Sequence, residues 1–292
     1  MTSTGPFLVA GANRPLGALI ALDLAARGRK VVATRRHPNP ELDAHLRDAG
    51  IEIAPLDLTD LPAVRALAPE VSGVVLTPIL SISGPAAHVF SEGGVSRGVV
   101  FSSNNVGIVG ADPVYDRLRA AEKDVLESAP GWAILRPTMI YGYPGDGNLS
   151  KLLQLLAKLP VFPRLGSGQA SQQPIHVEDL ARLAAALVSN DWDAAGVLAV
   201  GGPQTLSHRD LIATARRASG HSSIDIPIPL GPVRALVSLV SAFGLKLPLS
   251  PAQLARVNLD KAAIDPAEIP AHLRPRITPE DGLTRLARLL EL

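Results

Sequence analysis

Apolar stretches of strand length alternate with segments of helical period from the first residues of the chain onward. "FLVAG" (7–11) leads into "PLGALIALDLAARG", where Leu16, Leu19, Ile20 and Leu24 form one stripe of a helix that Gly28 ends. The alternation continues through "KVVAT", a helix around 40–49, "IEIAPLD", a short helix from Leu61, "GVVLT", a helix near 85–93, "GVVFSS", a helix over 113–128 and "WAILRP". Six strands separated by helices predict a doubly wound parallel sheet, since parallel neighbours need crossover helices that cover both faces.

Past Pro137 the pattern loosens into "TMIYGYPGDGNL", a helix "SKLLQLLAKL" and the loop "PVFPRLGSGQASQQP", all shaped by Gly and Pro. Regular units return as a helix "HVEDLARLAAALVSN", a strand "GVLAVGG" and a helix "SHRDLIATARRASG", opened by Ser207 with Asp210 at capping-box spacing. The remainder, 224–292, is Pro-rich and helical in pieces. The expected architecture is α/β: a Rossmann-like domain of 1–142 plus 176–222, and a small, mostly helical C-terminal lobe of 143–175 plus 223–292. The lobe should lie over the carboxyl ends of the strands, where open α/β sheets bind ligands.

Composition narrows the function. Of 292 residues 47% are hydrophobic but only 3% aromatic, which suits a core of Ala, Val, Leu and Ile between sheet and helices. The net charge of +1, with both signs interspersed, leaves no basic stripe for nucleic acid. Without cysteine the chain has no disulfide, thiol nucleophile or thiolate metal site, and its histidines form no ligand motif, so no metal is expected. The opening residues lack early basic positions and carry Arg14 and Asp23 through their apolar part, unlike a signal peptide. The most apolar run, "VRALVSLVSAFGL" (233–245), is shorter than the roughly 20 residues a bilayer requires. A soluble cytoplasmic protein is the expectation.

"VAGANRPLGALI" follows a strand and opens a helix, the context of a phosphate-cradling turn. Gly11 suits the tight turn and Gly17 the close approach of helix to sheet, with Asn13, Arg14, Pro15 and Leu16 between them. Pro15 is tolerated in a first helical turn but removes one donor to phosphate. At the end of the second strand an NAD-preferring sheet keeps Asp or Glu for the ribose hydroxyl, whereas this chain has Thr34, Arg35 and Arg36. Guanidinium forks suit a phosphate. Arg14, Arg35 and Arg36 are therefore expected around an adenosine 2'-phosphate, predicting NADP(H), with NAD(H) as the alternative.

With "LDLTD" (56–60), "VVFSSNN", Tyr115, "WAILRPTMIYG" (132–142) and "QPIHVEDLA" (173–181) in order behind that loop, the chain resembles the extended or atypical short-chain dehydrogenase/reductases. Its latter half is similar to the branch holding the NADPH-binding accessory subunit of respiratory complex I. The resemblance implies that Asp57 and Leu58 meet the adenine edge and that Thr77 and Pro78 line the cofactor cleft. It also implies that Pro137, Thr138 and Ile140 run beside the nicotinamide, and that 166–169 and 173–176 face the substrate. His176 is read first as a histidine satisfied at a strand end. In the family a Ser or Thr binds the substrate carbonyl, a Tyr delivers the proton, and a Lys four residues on holds the ribose and lowers the phenol pKa. Here Tyr115 is followed by Arg119 on the same helical face. A guanidinium keeps the electrostatic part of that task but cannot pass a proton onward. The family serine aligns with Ser103 or with Asn104, whose amide would be a weaker polariser.

These residues predict an NADP(H)-dependent oxidoreductase acting on the carbonyl or hydroxyl of a small molecule. The apolar composition of 226–254 favours a hydrophobic substrate. The alternative is a non-catalytic NADP(H)-binding redox sensor or assembly protein, for which the partner would be another protein.

Overall fold

The computed structural model of the chain describes residues 5–108, 113–233 and 263–292. Its centre is a seven-stranded sheet. In chain order the leading elements are β1 (Phe7–Ala10), α1 (Pro15–Ala26), β2 (Val31–Arg35), α2 (Pro40–Asp48), β3 (Glu52–Pro55), α3 (Leu61–Leu67), β4 (Gly73–Ile79) and α4 (Leu80–Glu92). They are followed by β5 (Gly98–Phe101), α5 (Pro113–Ser128), β6 (Ala133–Pro137), β7 (Ile140–Tyr141), α6 (Leu149–Lys158), β8 (Val161–Leu165), β9 (Ser171–Gln172) and β10 (Ile175–His176). Then come α7 (Val177–Val188), β11 (Gly196–Val200), β12 (Leu206–Ser207), α8 (His208–Ser219), β13 (Ile224–Ile228) and a C-terminal helix, Pro279–Leu289.

The sheet order is β11-β6-β5-β4-β1-β2-β3, and every pairing in it is parallel. The doubly wound sheet read from the apolar pattern is therefore present, with "GVLAVGG" supplying a seventh strand beside β6. The strand order reverses between β1 and β4, which opens a crevice outside their carboxyl ends. Burial explains the near-continuous apolar strands: Leu8, Val9, Val74, Val75, Leu76, Val99, Val100, Ile134 and Leu135 are all at most 1% exposed. One core lies between the sheet and α1 and α7, another between the sheet and α4 and α5.

Two local readings need correction. The fourth helix begins at Leu80, ahead of the expected 85, and carries Pro85 inside it. The stretch 160–174 is not all loop. It contains β8, which pairs in parallel with β13, and β9, which pairs antiparallel with β12. Arg164 and Asp225, both largely buried, bond at 2.9 Å across the first of these pairs.

A third core joins α6, α8 and the C-terminal helix around Leu153, Leu156, Leu211, Ile212, Leu283 and Leu286. Helix α8, grouped with the sheet domain on sequence, thus shares its buried face with two helices of the lobe. Asp179 anchors this end of the molecule: its buried carboxylate accepts from the backbone N–H of Arg276 (3.0 Å) and Ile277 (2.9 Å) and from Arg182 (2.6 Å). Gln173 does the same for another crossing, bonding both backbone groups of Ile264. Much of "QPIHVEDLA" is therefore structural. The apolar run 233–245 lies, beyond Val233, outside the described residues. Among those described, no helix is long and apolar enough to cross a membrane.

Candidate functional site

Gly11 leaves β1 with φ of +84°, and a Cβ there would lie 2.3 Å from Thr77 Oγ1. At Gly17 a Cβ would meet the carbonyl oxygen of Gly11 at 2.6 Å, so α1 approaches the loop as closely as only glycine permits. The amides of Gly11 and Ala12 both donate to Thr34 O, which ties the loop to β2. Arg14 is the extended residue before α1 and Pro15 takes the first helical position. The amides of Leu16 and Gly17 then stand at a helix N-terminus, where intrahelical acceptors are missing and an anion is favoured. Thr77 donates to Ala10 O at 2.8 Å, at a break in the β4–β5 register that turns Pro78 toward Gly11.

The three arginines separate. Arg35 donates from Nε (2.7 Å) and a terminal nitrogen (2.6 Å) to both oxygens of Asp43, a bidentate pair that joins β2 to α2. The expectation that Arg35 holds a 2'-phosphate is corrected accordingly, since its fork is already filled by a carboxylate eight residues on. Arg35 and hydrogen bonding hold the Asp43 carboxyl below its ordinary pKa against the opposing effect of burial. Arg14 and Arg36 instead line a crevice of about 230 Å³ with Gly11, Asn13, His37, Leu56, Asp57, Leu58 and Pro78. Asp57 Oδ1 accepts from the Thr59 amide (3.0 Å) and hydroxyl (2.8 Å), closing a turn, and these bonds lower its pKa. Its other oxygen lies 3.9 Å from Arg36.

A second cavity, of about 320 Å³, is lined by Ser102, Ser103, Asn104, Asn105, Pro137, Thr138, Met139, Ile140, Tyr143, Asp146 and Asn148. The candidates Ser103, Asn104, Pro137, Thr138 and Ile140 are thus brought together. The Ser103 hydroxyl accepts from the Asn105 amide at 3.2 Å, capping a single turn of 3-10 helix, Asn104–Gly107. The Asn104 side chain borders the cavity and makes no hydrogen bond among the described residues.

Tyr115 and Arg119 do not line this cavity. Tyr115 is buried in the core beside α4, and its hydroxyl accepts from the Asn105 side chain at 3.2 Å. Arg119 turns to the carbonyl of Val106 (2.5 Å) and to Asp116. Its charge is therefore met by neighbours on and below its own helix, although i and i+4 do share a face. His176 caps α7 through Nδ1, which accepts from the Glu178 amide at 3.3 Å, and its ring stands edge-on to Tyr141 with centroids 5.2 Å apart. Burial lowers its pKa.

Tyr143, Asp146 and Ser102 border the cavity without having been singled out on sequence. The one available signal was the run "YGYPGDG", whose glycines 142, 145 and 147 all have positive φ. Asp146 organises that loop by accepting from the amides of Gly142, Asn148 and Ser150 and from the Ser150 hydroxyl. Burial raises the pKa of the Tyr143 phenol, the charge of Asp146 adds to this, and Arg14 opposes it.

No family model matches the sequence. The uncharacterized protein y4nG of Sinorhizobium fredii (strain NBRC 101917 / NGR234) is 29% identical over 119 residues, which span 41% of this chain and 29% of that protein. Solved structures match over almost the whole chain. A UDP-glucose 4-epimerase of Thermus thermophilus in complex with NAD has a TM-score of 0.70 at 18% identity, covering 98% of this chain and 99% of that one. A dTDP-glucose 4,6-dehydratase of Streptomyces venezuelae with NAD bound has a TM-score of 0.73 at 17% identity, covering 98% and 97%. A UDP-glucose 4-epimerase of Thermotoga maritima with UDP-glucose has a TM-score of 0.72 at 13% identity, covering 98% of both chains. At such identities the likeness is one of fold. It is the Rossmann-like α/β fold, shared with these epimerases and this dehydratase.

Proposed function

We propose that the chain is an oxidoreductase of the extended short-chain dehydrogenase type that uses NADP(H) to act on the carbonyl or hydroxyl of a small molecule. The observation that carries this reading is the pair of crevices along the carboxyl edge of the sheet. The first is built on a glycine loop that a Cβ at Gly11 or Gly17 would block. The second lies beside it at the ends of β5 and β6, close enough for Arg14 of the first to act on Tyr143 of the second.

In this reading the amides of Leu16 and Gly17 hold the pyrophosphate, and Leu58 and the Asp57 oxygen nearer Arg36 meet the adenine. Arg36 and Arg14 take the 2'-phosphate, with Arg35 holding the strand end through Asp43. Pro137, Thr138 and Ile140 flank the nicotinamide, and Asn104 donates to the substrate oxygen from a site partly shielded from water. The dinucleotide itself supplies or accepts the hydride. The described wall around the reacting position is largely polar, which supports a substrate carrying hydroxyl or other hydrogen-bonding groups. The apolar lid expected to favour a hydrophobic substrate falls mainly outside the described residues.

A second reading, an NADP(H)-binding protein without turnover, draws on the burial of Tyr115, whose hydroxyl is met by Asn105, and on the engagement of Arg119 by Val106 and Asp116. Calorimetric titration tests the common premise. NADPH should bind about tenfold or more tightly than NADH, as charge-assisted contacts to one phosphate would give. Equal affinities would overturn the NADP(H) preference, and no heat with either dinucleotide would overturn both readings.

A further inference from the structure

The cavity beside the proposed nicotinamide position contains one phenol, and it is not the one that sequence spacing selects. Tyr143 lines it together with Ser102–Asn105, Thr138 and Met139. The tyrosine is half-buried, and its hydroxyl makes no hydrogen bond among the described residues. The loop that presents it is held by four donors converging on Asp146 and by left-handed backbone at Gly142 and Gly145. The imidazole of His176 packs against Gly142, where a Cβ would meet Nε2 at 2.4 Å. The ring position is thus set from both sides. Ser102 belongs to the same lining, and its hydroxyl is buried without a hydrogen-bond partner.

We infer that Tyr143, rather than Tyr115, is the acid that protonates the substrate oxygen, with Ser102 and Asn104 as the hydrogen-bond donors that receive it. This rests on the oxidoreductase reading above. The step balances with reduced dinucleotide as the hydride source. The hydride adds to the carbonyl carbon, the C=O π pair moves onto oxygen, and the Tyr143 O–H proton passes to that oxygen. The phenolate left behind is reprotonated from water at the open mouth of the cavity. Burial and the neighbouring Asp146 charge raise the phenol pKa and so weaken it as an acid, and the charge of Arg14 opposes them, drawing it back toward the working range.

The test measures NADPH oxidation at 340 nm with glyceraldehyde, dihydroxyacetone and benzaldehyde as probes, on full-length wild type, Tyr143→Phe and Tyr115→Phe. Removing a general acid lowers turnover by about 10²–10⁴-fold. Tyr143→Phe should lose at least 100-fold in kcat with its NADPH affinity unchanged, and its loss should exceed that of Tyr115→Phe at least tenfold. The basic limb of the wild-type pH profile should also vanish in Tyr143→Phe. Far-UV circular dichroism and a NADPH titration on each variant separate loss of chemistry from loss of fold. The proposal is overturned if Tyr115→Phe suffers the larger loss, or if Tyr143→Phe keeps its pH profile. It is overturned equally by a wild type that binds NADPH and reduces none of the probes, an outcome that leaves the binding reading standing. Failure to bind NADPH would instead sink the oxidoreductase reading itself.

Discussion

Replacing Arg35 by methionine separates a structural arginine from a cofactor-binding one. Arg35 and Asp43 retain only 12% and 4% side-chain exposure, so water screens their pair poorly. Removing one member of a buried pair strands the other and costs about 3–5 kcal/mol; the residual exposure of Arg35 argues for the lower end, about 3 kcal/mol. With a urea slope of about 3 kcal/mol/M for a chain of this size, the midpoint should fall by about 1 M. The double variant Arg35→Met/Asp43→Leu should regain most of that loss, because a packed apolar pair leaves no charge unpaired. The pH dependence follows from the direction of the Asp43 shift. Its folded pKa is depressed, so its contribution is present above the unfolded value of ~3.9 and is lost as pH falls through the folded value. The gap between wild type and Arg35→Met should therefore narrow below about pH 4. Urea melts followed by far-UV circular dichroism, paired with NADPH and NADH titrations at pH 7, read both quantities. An unchanged midpoint together with a selective loss of NADPH affinity would refute the reasoning, since Arg35 would then serve the cofactor rather than α2.

Arg36→Ala should show the opposite pattern, with NADPH affinity down about tenfold, NADH affinity unchanged and the urea midpoint held, as titration of both dinucleotides would reveal. Gly17→Ala places a Cβ 2.6 Å from Gly11 O, and overpacking of this kind costs about 1–3 kcal/mol. Its thermal midpoint and dinucleotide affinity should fall together, and a variant that keeps both would show that α1 has room to move. Asp179→Ala unties the amides of Arg276 and Ile277, so hydrogen exchange across 276–292 should accelerate well ahead of the sheet strands. His176 has a folded pKa lowered by burial, so its contribution is intact above the unfolded value of ~6.5 and is lost as pH falls below it toward the folded value. His176→Gln should flatten that part of the stability profile measured between pH 5 and 8.

The sheet was legible because its physics is local and periodic. A strand buried on both faces must read as an unbroken apolar run, a crossover helix must carry one apolar stripe, and both survive in the residue order of 7–137. The glycine loop was legible for the same kind of reason. A positive φ at Gly11 and a helix packed against Gly11 O at Gly17 are demands on single positions that only glycine meets. Ser207 with Asp210 marks a helix start through a bond spanning three residues.

What the sequence by itself determined, then, was the sheet, the glycine loop that leaves its first strand and the set of polar residues near its carboxyl edge. Tertiary structure alone decided which of those residues are free. Arg35 and Arg36 are adjacent and chemically identical, yet Arg35 is tied to Asp43 on α2 while Arg36 lines the crevice. Tyr115 stands in the expected spacing, yet the packing of α5 sinks it into the core, while Tyr143 is brought to the cavity by a loop whose shape depends on Asp146 and His176. Periodicity reports the face on which a side chain leaves the backbone. Whether its polar end then meets a carboxylate, a carbonyl or an open cavity depends on segments distant along the chain, and that is settled only when they pack.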